Sequence, residues 1–121
     1  MDTFDSDPTP GGSYERVYER EIFDGDRVPR RIVTRFTTVR GQVVRASITL
    51  EERREGREGH VMRFDDAYGR FHRHFPGWPE PGAIEQYLDS IEVPLQVGFA
   101  QREIDLRYTE YDTAVFGKDL P

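Results

Sequence analysis

The 121-residue length suits one domain, and 36% hydrophobic content lets it bury one modest core. A net charge of −6 argues against general attraction to nucleic acid or to an anionic membrane, so any RNA contact must come from a local basic patch. The absence of cysteine excludes disulfides and zinc–thiolate sites.

The pattern of residues excludes more. No apolar run approaches the roughly 20 residues a membrane-spanning helix needs. The opening "MDTFDSDPTPGGSYERV" lacks the apolar stretch of a signal peptide. The expectation is a soluble cytoplasmic protein with no membrane partner. Lys118 is the only lysine among the basic residues, and with abundant Asp and Glu this points to a high-GC genome or a halophile.

Residues 1–13 are small, acidic and broken by Pro and Gly, and read as a disordered tail. A single domain is expected over 14–116, with 117–121 frayed. "YEREIF" (18–23) begins an extended segment that ends at the turn signal "DGDRVP". "RIVTRFTTV" (31–39), rich in β-branched residues, reads as a second strand, and Arg40-Gly41 as the next turn. In "QVVRASITLEE" (42–52), Val44, Ala46, Ile48 and Leu50 alternate with Arg45, Ser47, Thr49 and Glu51, the pattern of a half-buried antiparallel strand. "ERREGREG" (52–59) reads as a charged connection, solvated surface rather than a phosphate loop.

Further on, "PGAIEQYLDSI" places Ile84, Leu88 and Ile91 on one side of a helix, with Tyr87 adjacent. Pro94 opens a second helix in which Val93, Val97, Ala100, Ile104, Tyr108 and Tyr111 recur at spacings of four and three. A strand over "REIDLRYTEY" is the alternative, since Ile104, Leu106 and Tyr108 also alternate. Strands first and helices after predict an α+β fold: an antiparallel meander of about five strands with C-terminal helices packed on one face.

The chemistry concentrates in "HVMRFDDAYGRFHRHFPGW" (60–78), which holds every histidine of the chain. With "DAYG" (66–69) as a hairpin loop, Asp65 pairs with Arg70, Phe64 with Phe71, Arg63 with His72, Met62 with Arg73 and Val61 with His74. Alternation then puts Met62, Phe64, Phe71 and Phe75 on the core side with Arg73. Asp65, Arg63, Arg70, His72 and His74 share the other side, with Asp66 and Tyr68 at the tip. Cross-strand neighbours stand about 4.5–5.5 Å apart at Cβ, close enough to act on one bound molecule.

Three readings fit that patch. In the first, His72 and His74 act as general acid and base on a phosphodiester, Asp65 orients a histidine or an arginine, and Arg63, Arg70, Arg73 and Tyr68 hold substrate, without metal or other cofactor. The second is a metal site of Asp65 or Asp66 with His72 and His74, for which no strong motif is present. In the third, Asp65–Arg70 and its neighbours are cross-strand charge pairs that fix register. His60 reads as a loop histidine. Trp78, in a Pro/Gly turn, reads as a cap on the core.

The stretch "RFDDAYGRFHRH" (63–74), followed by "IEQYLDSI" (84–91), resembles the TumE-like toxins of toxin–antitoxin pairs, and also a related group of uncharacterised small domains. Arg63, Phe64, Asp65 and Asp66 stand for that family's Arg-Tyr-Asp-Asn, and His72, Arg73 and His74 for its His-Arg-His. The resemblance covers roughly 18–91 and implies a toxin-like protein with a cognate antitoxin as partner. Acting on RNA rests on the histidines and arginines, with analogy to other toxins. The opposing expectation is a non-enzymatic interaction module. An exposed edge strand such as 18–23 offers a place for a partner or for a homo-oligomer.

Overall fold

Two tight turns set the architecture. Arg40-Gly41 and Glu55-Gly56 all have positive φ (53°, 79°, 53° and 75°), the conformation that lets a two-residue turn join strands without splaying them. The computed structural model describes residues 2–5, 13–66, 69–83 and 85–117. Its strands are β1 (Asp2–Asp5), β2 (Ser13–Ile22), β3 (Arg30–Val39), β4 (Gln42–Arg54), β5 (Arg57–Asp65), β6 (His72–His74) and β7 (Glu85–Tyr87). They form one antiparallel sheet in chain order, and α1 (Val93–Phe116) comes after it. The predicted α+β fold, a meander with a C-terminal helix, is what forms.

Several boundaries differ from expectation. Part of the lead-in, Asp2–Asp5, pairs with β2 from Arg16 to Glu19, so the chain's start supplies an edge strand where a disordered tail was expected. The charged connection 52–59 shrinks to Glu55-Gly56, and its flanks carry ladder pairs such as Arg53–Glu58. The short helix expected over 84–91 is absent: Glu85–Tyr87 is a strand against β6. The spacings of four and three are helical, but in so short a run tertiary pairing overrides them. The unpaired backbone of β6 decides for strand. Ile84 lies outside the described residues.

The helix confirms the other periodicity. Ala100, Ile104 and Tyr111 are buried against Ile32, Ala46, Ile48, Leu50, Met62, Phe64 and Phe71. Pro94 sits in the first turn, where its missing N–H costs nothing, and Gly117 at φ 88° ends the helix by donating to the Thr113 carbonyl. Trp78 packs its ring 5.4 Å from that of Phe116, so it caps the core at the helix's C-terminal end. Among the described residues no helix is long and apolar enough to cross a membrane.

A bulge in the β4–β5 ladder redirects one histidine. Leu50 faces Met62 but Glu51 faces His60, leaving Val61 as the extra residue. That extra residue turns His60 away from the helix and onto the side of Glu51 and Arg63, so His60 belongs to a strand rather than a loop.

Candidate functional site

The face of the sheet turned away from α1 carries the polar chemistry. Arg63 and Asp65 alternate on β5, His72 and His74 on β6, and all four point to this side. Asp65 pairs directly with His72, and Phe64 with Arg73. The hairpin is therefore slipped by two residues from the expected register. A slip of two preserves facing, so the predicted grouping of Arg63, Asp65, His72 and His74 survives although the predicted partners do not.

The Asp65 carboxylate is the hub. Its Oδ1 lies 3.0 Å from His72 Nε2, and its Oδ2 lies 3.6 Å from His74 Nε2 and 3.2 Å from Arg63 Nε. Arg63 Nη2 reaches His74 Nε2 at 3.3 Å. On the far side of each ring a backbone carbonyl fixes the tautomer: His72 Nδ1 is 2.8 Å from the Arg70 oxygen and His74 Nδ1 is 3.0 Å from the Gly82 oxygen. A carbonyl only accepts, so both Nδ1 atoms carry hydrogen and both Nε2 atoms are turned toward Asp65.

Burial sharpens the picture. The side chains of His72, His74 and Asp65 are only 2%, 9% and 9% exposed, whereas Arg63 is 35% exposed. Arg63 is thus the member of the group that reaches solvent. One ligand atom each from Asp65, His72 and His74 lie within 4.8 Å of one another, close enough that one metal ion could draw on all three. His rings held through Nδ1 by carbonyls are typical of imidazoles that coordinate through the other nitrogen.

The remaining predicted site residues lie apart. Arg70 does not meet Asp65; it pairs with Asp89 (Nε–Oδ1 3.2 Å) and stacks 3.7 Å over the Tyr87 ring at the sheet edge. Arg73 opposes Phe64 on the helix side and donates to Gln86 Oε1 at 2.8 Å. Asp66 accepts from the Ala46 backbone N–H at 2.8 Å and so holds the hairpin to β4. Tyr68 lies outside the described residues. A cavity of about 460 Å³ sits elsewhere, lined by residues 21–30 of the β2–β3 connection.

Two charged networks went unread in the sequence. On the same face as the cluster, buried Glu51 accepts from Arg31 (Nη2, 3.1 Å) and Arg35 (3.3 Å), with His60 Nε2 at 3.5 Å. On the helix face, Arg30 donates to Asp112 Oδ2 (Nε 3.0 Å, Nη2 2.8 Å), and Arg54 Nε donates to Glu52 Oε1 at 2.9 Å. Burial, with the Asp112 carboxylate beside it, pushes Glu52 up to about 8 against the pull of Arg54 and Arg30. The available signal was phase: Glu52 continues the alternation of Ala46, Ile48 and Leu50, an acid at a core position.

A family model described as a domain of unknown function (DUF7718) matches residues 13–115. No curated protein and no solved structure matches the chain. The expectation of an uncharacterised small-domain family is met, and nothing in the match ties the chain to the TumE-like toxins.

Proposed function

Because the chain belongs to the DUF7718 family, whose function is unknown, we propose its role from the site: a domain that binds one divalent transition-metal ion through Asp65, His72 and His74. The observation that carries this reading is the convergence of one ligand atom from each of these buried residues within 4.8 Å. Two imidazoles and a carboxylate suit zinc, iron, cobalt or nickel. Bonds of about 2.0–2.2 Å place neighbouring ligands roughly 3.0–3.6 Å apart. Asp65 meets the His72 ring through Oδ1 at 3.0 Å and the His74 ring through Oδ2 at 3.6 Å, so drawing one ligand atom from each residue onto an ion, from a set now within 4.8 Å, takes a small side-chain shift.

Arg63 works against uptake, since its guanidinium now neutralises Asp65; at 35% exposure it has room to swing aside. The alternative is a purely structural polar cluster, and titration with metal separates the two readings. The resemblance to toxins that act on RNA asks His72 and His74 to serve as acid and base on a phosphodiester. Rings buried this deeply do not meet a polymer backbone, whereas burial suits a metal ion.

Protein treated with a chelator and then titrated with Zn(II) by calorimetry tests the reading. The expected result is one ion per chain, with affinity reduced at least about tenfold in Asp65→Asn and in His74→Gln. Circular dichroism confirms that each variant is folded. Folded wild type that takes up no ion, or variants that bind as well as wild type, would overturn it.

A further inference from the structure

Arg63 is the feature that the metal reading leaves without a role. It is the exposed member of an otherwise buried cluster, and both of its contacts go to groups that a metal would claim: Asp65 Oδ2 at 3.2 Å and His74 Nε2 at 3.3 Å. Its Nε is within ion-pair distance of Asp65 yet forms no well-shaped hydrogen bond. A guanidinium held this loosely is a replaceable counter-cation rather than a lock.

Resting on the proposed metal centre, we infer that the loaded site takes a small carboxylate ligand, bound by the metal on one side and by Arg63 on the other. The charge balance leads there. In the empty site Arg63 offsets Asp65. When a divalent ion takes Asp65 and two neutral imidazoles, the centre carries one excess positive charge, and Arg63 beside it adds a second. Three protein ligands leave at least one coordination position open on a four-coordinate metal and more on a six-coordinate one.

Direction and shape select the ligand. The rings and Asp65 face inward with side chains no more than 9% exposed, so the solvent side of the cluster is the Arg63 side. Arg63 already rests against a carboxylate. An incoming carboxylate replaces Asp65 as its partner, turning one oxygen to the metal and the other to the guanidinium. The neighbouring arginines are engaged elsewhere: Arg70 with Asp89 and the Tyr87 ring, Arg31 and Arg35 with Glu51.

Cobalt(II) gives a direct readout, because its visible bands report coordination number and ligand type. Co(II)-loaded protein is titrated with sodium acetate at constant ionic strength, sodium chloride being the control. The expected result is a saturable acetate-dependent band shift in wild type. Arg63→Met binds Co(II) more tightly, because the competing cation is gone, but its apparent affinity for acetate falls at least about tenfold, the value of one charge-assisted pair. Arg63→Lys, which keeps the charge without the fork, lies between the two.

Each failure is distinct. Loss of all Co(II) bands in folded wild type overturns the metal centre and this inference with it. Normal Co(II) bands that acetate does not move overturn the inference alone, as does an equal acetate response in Arg63→Met.

Discussion

Raising the pH from 5 to 8 is expected to weaken the fold through Glu52. This side chain is 1% exposed under α1, beside Asp112, with Arg54 donating to one oxygen and Arg30 Nε 3.4 Å from the other. Burial and the neighbouring Asp112 carboxylate raise it from 4.5 to about 8. Below 4.5 the residue is protonated in both folded and unfolded chains. Between 4.5 and 8 the unfolded chain has lost the proton while the folded one retains it, so the unfolded state binds fewer protons and stability falls as pH rises. Above 8 both states are ionised and the slope ends. At about 1.4 kcal/mol per pH unit, the interval from 4.5 to 8 bounds the loss at roughly 5 kcal/mol. Half of that bound lowers the melting temperature by about 10 °C in a domain of this size. Glu52→Gln keeps the shape and an acceptor for Arg54 but has no proton to lose. Melting curves of both proteins at pH 5, 6, 7 and 8 decide the matter: a wild-type decline that Glu52→Gln lacks is expected. An equal decline in both would refute the assignment of the slope to Glu52.

Two further outcomes can be checked independently. A Cβ at Gly59 would stand 2.7 Å from Trp78 Cζ3 and 2.9 Å from the Pro79 carbonyl oxygen, so Gly59→Ala is expected to cost about 1–3 kcal/mol in urea denaturation; a neutral result would mean that the 77–80 segment yields freely. Because the side chains of His72 and His74 are 2% and 9% exposed, metal-free protein is expected to leave single-stranded RNA intact. Cleavage by wild type that the His72→Ala, His74→Ala double variant lacks would favour the acid–base reading over the metal one.

Local alternation made most of the sheet legible, because a period of two sorts residues without any knowledge of partners. Ala46, Ile48 and Leu50 are buried as that pattern requires, although Val44 at the strand's start is 56% exposed. Tertiary context decided the rest. Thr49 and Glu51, assigned to a solvent face, are 1% and 5% exposed. Glu51 is covered because Arg31 and Arg35 from β3 lie across to it, a cross-strand arrangement that one strand's sequence does not contain. The segment 85–87 became a strand because β6 offered it an edge, and Glu52 became buried because α1 closed over it.

The site itself shows why a wrong register led to the right cluster. Expecting a four-residue hairpin loop, the sequence pairs Asp65 with Arg70; the longer connection that forms pairs it with His72. An error of one residue would have sent His72 and His74 to the helix side and dissolved the cluster. An error of two changes neighbours but not faces. What the slip altered is the chemistry. The Asp65 carboxylate was expected to meet Arg70, an exposed arginine able to reach a phosphate, and instead it is met by two buried imidazoles and Arg63. Moving two histidines onto a carboxylate inside the protein converts a surface patch suited to proton transfer into an enclosed donor set suited to a cation. The motif fixes which side chains face one another, and the length of the connection between β5 and β6 decides what they hold.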